Sequence, residues 1–88
     1  MKVAFRASFQ RDLENVSDKS FLERVRQTIE EVEQANDLTQ VRNLKKLRGS
    51  GNYYRIRLGD YRFGLLLEAD ALVFVRFLHR KDVYRYFP

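Results

Sequence analysis

The segment from Tyr53 to Leu78, "YYRIRLGDYRFGLLLEADALVFVRFL", constrains this chain most. Three runs rich in aromatic and branched residues follow one another with two or three turn residues between them. Links that short let a strand pair only with a neighbour running the opposite way. The segment therefore predicts an antiparallel meander with strands at about Tyr53–Leu58, Tyr61–Glu68 and Leu72–Leu78, the first two joined by the tight Gly59-Asp60 turn. In the first strand Tyr54, Ile56 and Leu58 share one parity, and Arg55 and Arg57 the other. One face of that strand suits a core and the other carries fixed positive charge. Leu65 to Leu67 and Leu72 to Val75 do not alternate, which predicts a central region covered at least partly on both faces.

The residues before the meander supply a layer for the apolar parity to pack against. "MKVAFRA" alternates Val3 and Phe5 with charged or small residues and predicts a short strand. Ser8 is the expected cap of a helix carrying Phe9, Leu13 and Val16. Ser17 is the expected cap of a second helix, whose stripe is Phe21, Val25, Ile29 and Val32 and whose other face is charged. "QANDLTQV" predicts a polar turn with a short helical piece, and "NLKKLRGSGN" leads into the meander as a glycine-rich link. The closing "HRKDVYRYFP" predicts a short helix or an extended tail. The fold class is α+β: one domain over residues 1–88, order β-α-α-β-β-β(-α), with two N-terminal helices on one face of a mostly antiparallel sheet and the other face free.

Composition narrows the function. The chain has 88 residues, 44% hydrophobic and 33% charged, and a net charge of +5. Residues 1–41 hold six Lys/Arg against eight Asp/Glu, whereas residues 42–88 hold eleven against four. The basic half is the meander half, and a one-sided basic surface attracts polyanions or an acidic protein. Cysteine is absent and His79 stands alone, so no metal-ligand spacing is readable and no cofactor is expected. There is no glycine-rich phosphate loop and no Ser-His-Asp spacing. No apolar run of signal-peptide or membrane-span length appears, and a cytoplasmic protein is expected.

Candidate functional residues follow from the charged parity. Arginine suits bidentate phosphate contact. Arg62 opens the second strand, Arg76 lies on the third and Arg80 follows it. Side chains on one face of neighbouring strands can converge on one anion. Tyr84, flanked by charge, can stack on an unpaired base or exchange protons. His79 is an acid-base candidate or a strand-end histidine bonded to backbone. Asp82 and Glu68 are expected partners of arginines. Phosphodiester chemistry on RNA fits such a set, because the substrate supplies its own 2′-hydroxyl.

The stretch "KKLRGSGNYYRIRLGDYRFGLLLEADALVFVRFLHRKDVYRYF" resembles the C-terminal half of RelE/ParE-superfamily toxins of type II toxin-antitoxin modules. The resemblance rests on "K-x-L-x-G", "YRIRLGDYR", the apolar strand pair and "HRKDVY". It implies a toxin on the RelE side: a ribosome-dependent, metal-independent endoribonuclease that cleaves mRNA in the A site. The alternatives are a ParE-like gyrase inhibitor and a non-catalytic basic binding module. The resemblance carries catalytic roles to Arg55, Arg57, Arg62, Arg80 and Tyr84; separately, Lys45, Lys46, Arg48, Arg76, His79 and Lys81 of the basic half are expected RNA contacts. The RelE pattern has lysines where this chain has Arg55 and Arg57. Arginine does not release its proton, so the row stabilises charge, and proton transfer falls to Tyr84, His79, water or the ribosome. The implied partners are a cognate antitoxin, the ribosome and mRNA, with no direct DNA binding except through the antitoxin complex.

Overall fold

The computed structural model describes residues 1–49 and 51–88. Strand β1 (Lys2–Phe5) leads into helices α1 (Ala7–Glu14) and α2 (Lys19–Gln34) and a 3-10 turn at Leu38–Gln40. Then come β2 (Leu44–Lys46), β3 (Tyr53–Leu58), β4 (Tyr61–Glu68), β5 (Ala71–His79) and the short helix α3 (Val83–Tyr86). The sheet order is β1-β5-β4-β3-β2. β1 runs parallel to β5 and every other pairing is antiparallel. No helix among the described residues is long and apolar enough to cross a membrane.

The meander has the expected strand order and polarity. Ile56 lies opposite Phe63, and Phe63 opposite Phe77. Phe9 from α1 reaches into this row, 6.0 Å from the Phe63 ring and 5.4 Å from Phe74. Val25 and Val32 of α2 close the core over Ile56 and Leu65. Each such side chain contributes about 1.5–3 kcal/mol when fully buried, so this aromatic row accounts for much of the helix–sheet contact. In the β3–β4 turn the positive φ falls on Gly59, at +57°. That is the first of the two turn residues, where glycine is unstrained, so the Gly-Asp order suits the hairpin.

Local details differ from the sequence expectations at both helix starts. Asp18, not Ser17, caps α2: its Oδ1 accepts from the N–H groups of Ser20 (2.9 Å) and Phe21 (3.2 Å). The Ser20 hydroxyl first, and the Phe21 N–H second, hold its carboxyl below the usual range. A carboxylate at that end also meets the positive end of the helix dipole, which a serine cannot exploit. Nor does Ser8 cap α1, which begins at Ala7 after Arg6. The Ser8 hydroxyl instead donates to the Val75 carbonyl at 2.6 Å. Val75 is the extra residue at the register shift between β4 and β5, where Gly64 faces Arg76 and Leu65 faces Phe74.

Two further differences bear on function. β2 had been expected only as a link. It is a three-residue edge strand, Leu44 to Lys46, opposite Ile56 to Tyr54. Paired lysines hide a strand from hydrophobic periodicity while protecting a sheet edge from association. The second concerns the sheet face away from α1 and α2, which is not entirely free. Val83 and Phe87 are buried on it, and Tyr53 meets the Phe87 ring edge-on with centroids 5.5 Å apart. The docking depends on Gly64, where a Cβ would lie 2.8 Å from the Phe87 ring. Coverage of both faces explains why Leu65–Leu67 and Leu72–Val75 lack alternation. Ser50, within the glycine-rich link, lies outside the described residues.

Gly64→Ala tests this contact. The substitution overpacks the Phe87 site and is expected to lower stability by about 1–3 kcal/mol, measured by urea denaturation. Limited proteolysis should cut first after residue 82. An unchanged midpoint would show that Phe87 does not rest on Gly64.

Candidate nucleic-acid interface

The charged face is built by strand register. Arg57 on β3 lies directly opposite Arg62 on β4, and Arg55 opposite Gly64. Arg80 follows β5, and its N–H donates to the Asp60 carbonyl at 2.7 Å, which ties it to the β3–β4 turn. A cleft of about 510 Å³ opens here, lined by Arg24, Asn43, Arg57, Asp60, Arg62 and Arg80 among others.

Two of these guanidinium groups, those of Arg55 and Arg62, are held by backbone carbonyls. Arg62 Nη1 donates to the carbonyls of Gly59 and Tyr61, both at 2.9 Å. Arg55 Nη1 donates to the Asn43 carbonyl at 3.0 Å, and the Arg57 N–H to the same oxygen at 3.4 Å. Asn43 holds a left-handed φ of +62°, a conformation that asparagine tolerates better than most residues. Among the described residues, the one carboxylate within ion-pair distance of the set is Asp60, 3.8 Å from Arg80 Nε, and both side chains are largely exposed. An exposed pair of that length contributes little. Arg55 Nε is buried and, among the described residues, has no acceptor.

Electrostatics report the crowding. The Arg62 guanidinium is held below its ordinary pKa, first by partial burial and then by the charges of Arg55 and Arg57, with Arg80 adding a smaller push. Tyr84 acts in the opposite direction. The sequence-predicted five are therefore within electrostatic reach of one guanidinium. Arginine keeps its proton at any ordinary pH, so the cluster is a preorganised set of donors for an oxyanion.

Tyr84 stands on α3 with its ring two-thirds exposed, at 67%. It borders a second hollow of about 370 Å³ together with Lys45, Lys46, Arg48 and Phe87. Lys45 lies directly across from Arg55, so β2 extends the basic face towards the tyrosine. Lys46 has the other parity, yet lines the same hollow at the sheet edge.

Other expected residues are placed elsewhere. Arg76 forms a two-point ion pair with Asp12 of α1, at 2.7 and 3.0 Å. Asp12 also accepts the Phe77 N–H at 2.9 Å, so this pair closes the β5 edge beyond the end of β1. His79 shares the parity of Tyr61, on the helix side, with ring centroids 5.5 Å apart. Its Nδ1 accepts the Lys81 N–H at 3.1 Å, in agreement with the strand-end alternative. Lys81 is exposed in the following turn. Glu68 pairs with Arg6 at 2.8 Å and not with the arginine row, and no ion pair of Asp82 is present among the described residues. Sequence reasoning missed Arg24 and Asn43. Asn43 carried a faint signal, an asparagine just before an apolar residue; Arg24 had none, being one of several charges on a helix face.

If the row is held against its own repulsion, Arg57→Gln should raise the melting temperature at low ionic strength. The gain should shrink as salt screens the charges. Calorimetry over a salt series checks this, and a lower melting temperature at every salt concentration would contradict it.

Comparison with known proteins gives consistent matches. Residues 3–84 match the family model described as the ParE toxin of the type II toxin-antitoxin system, parDE. The chain is 43% identical over 89 residues to Toxin RelE3 of Methanocaldococcus jannaschii, covering 100% of each. The toxin fold in the RelB-RelE antitoxin-toxin complex from Methanococcus jannaschii superposes with a TM-score of 0.80 at 40% identity, covering 97% of this chain and 99% of that one. The archaeal RelE-RelB complex from Pyrococcus horikoshii OT3 gives 0.73 at 21% identity over 93% and 97% of the two chains, a likeness of fold.

Proposed function

This chain belongs to the RelE/ParE superfamily of type II toxins and is RelE-like, and from that premise we propose that it is a ribosome-dependent endoribonuclease that cleaves mRNA in the A site and so stops translation. The observation that supports this best is the convergence of Arg55, Arg57 and Arg80 on Arg62, with Tyr84 nearby.

In this reading the scissile phosphate enters the cleft beside Arg62 and Arg80. The neighbouring 2′-hydroxyl attacks phosphorus, a new P–O2′ bond forms and the P–O5′ bond breaks. Negative charge grows on the non-bridging oxygens as the phosphorus gains a fifth ligand. The Arg62 guanidinium, already fixed by carbonyls, meets that charge without reorganising. Positioning the hydroxyl in line supplies a further share of the rate. Protons must leave O2′ and reach O5′. Tyr84 is the titratable side chain that the family pattern brings to this step, while His79 faces the other side of the sheet. Tyr84 also offers a π-face on which a base can stack. The hollow bordered by Tyr84, Lys45 and Arg48 leaves room for a nucleotide beside the scissile bond.

The partner follows from the relatives, whose solved complexes pair RelE with RelB. We infer a cognate antitoxin that neutralises the basic face, supplying the carboxylates that the arginine row lacks.

The test is a purified translation reaction on a defined message. Wild-type protein should cut at the A-site codon. Arg62→Ala and Arg80→Ala should each slow the cut by about 10²–10³-fold, with the fold retained by circular dichroism. Tyr84→Phe should keep stacking and lose any proton transfer, whereas Tyr84→Ala loses both. No cleavage together with inhibition of gyrase supercoiling would replace this reading with the ParE-like one; neither effect would leave a binding module.

A further inference from the structure

Of the four cations on and just after α2, two are neutralised locally. Arg26 is bonded to both Glu23 and Glu30, and Arg42 pairs with Glu31 at 2.8 Å. Arg24 and Lys19 have no carboxylate within ion-pair distance among the described residues, and of these two Arg24 is the one held by a ring and lining the cleft. Its guanidinium sits 5.5 Å from the centroid of the Phe21 ring. That contact restricts orientation without cancelling charge.

Arg24 also occupies a particular place. It lines the cleft of Arg57, Arg62 and Arg80 although it comes from the helical layer. It lines the adjoining hollow of about 250 Å³ between α2 and β3, together with Arg57, Asn43 and Gln27. The two spaces meet at Arg57. Strand pairing explains the passage. β2 covers β3 from Tyr54 to Ile56 and the Asn43 carbonyl still takes the Arg57 N–H, so the outer edge of β3 carries no strand beyond Arg57. A chain lying in the cleft can round that edge onto α2. Two acidic groups near this path are already engaged, since Asp18 caps α2 and Glu31 holds Arg42, while Asp60 lies loosely beside Arg80.

We propose that Arg24 binds a phosphate of the single-stranded RNA flanking the scissile bond, so that the strand runs from the arginine cleft around the open edge of β3 onto α2. This rests on the RNA-cleaving reading and adds a direction for the substrate. Single strands are held by cations that track the backbone. An arginine already oriented by an aromatic ring, with no carboxylate to release, suits a bidentate phosphate contact.

The experiment is fluorescence anisotropy over a salt series with the full chain and three probes: a labelled single-stranded RNA oligomer, a trinucleotide and a blunt RNA duplex. Arg24→Ala should weaken the oligomer about three- to fivefold at physiological salt and reduce the salt slope by about 0.7. Arg24→Lys should restore most of the slope. Trinucleotide binding should not change, and Arg26→Ala should match wild type on every probe. If Arg62→Ala and Arg80→Ala weaken the oligomer but Arg24→Ala does not, the extension is overturned and the cleft reading stands. If wild type binds no RNA, or Arg62→Ala and Arg80→Ala change nothing, the extension is overturned and the translation reaction alone decides the cleavage reading. A loss confined to the duplex overturns the single-strand path, because Arg24 would then serve a structured RNA.

Discussion

Burial of the Phe63 row decides the rest of this structure. Phe63 lies between Ile56 and Phe77 in the sheet and under Phe9 of α1. Because side chains alternate with period two, the choice that sends Phe63 inward also sends Arg62 outward. The same holds for Ile56 between Arg55 and Arg57. A one-residue slip would place guanidinium groups beneath the helices, where an unpaired charge is prohibitively costly. The core therefore sets the charged row in register, and the spacing of the arginines is a consequence of apolar packing.

The row is maintained at an electrostatic cost. Repulsion among four arginines is met at Arg55 and Arg62 by backbone carbonyls, which orient those two groups but leave their charge uncompensated. Arg76 shows the contrast. Its full pairing with Asp12 makes it part of the scaffold, closing a sheet edge and joining α1 to β5. Arg62 and Arg76 are both strand arginines, yet one is neutralised by its neighbours and the other is available for an anion. That difference in partners separates structural from functional charge in this fold.

The C-terminal segment joins the two halves of the design. Val83 and Phe87 dock on the sheet face that α1 and α2 leave uncovered, and Tyr84 between them is held out over the basic surface. Gly64 makes the docking possible, since a side chain there would occupy the space of the Phe87 ring. A glycine in mid-strand thus serves the placement of a tyrosine twenty residues away in sequence.

Much of this was legible in the chain itself. Alternation and short turns determined β3 and β4, the polarity of their faces and the helical stripes, because these depend on nearest neighbours and a fixed period. β2 escaped notice, since a lysine-rich edge strand has no apolar period, and Asp18 was passed over for the adjacent serine. Only tertiary structure decided which arginines keep their charge free. Arg76 was removed from the face by a carboxylate 64 residues earlier in the chain, and His79 was turned to the opposite side of the sheet. Arg24 was brought to the cleft from another layer by the packing of α2 against the open end of β3. The residue types and their parity are local properties of the sequence. Neutralisation and convergence depend on which distant groups the fold places within a few ångströms of one another, and no periodicity encodes that.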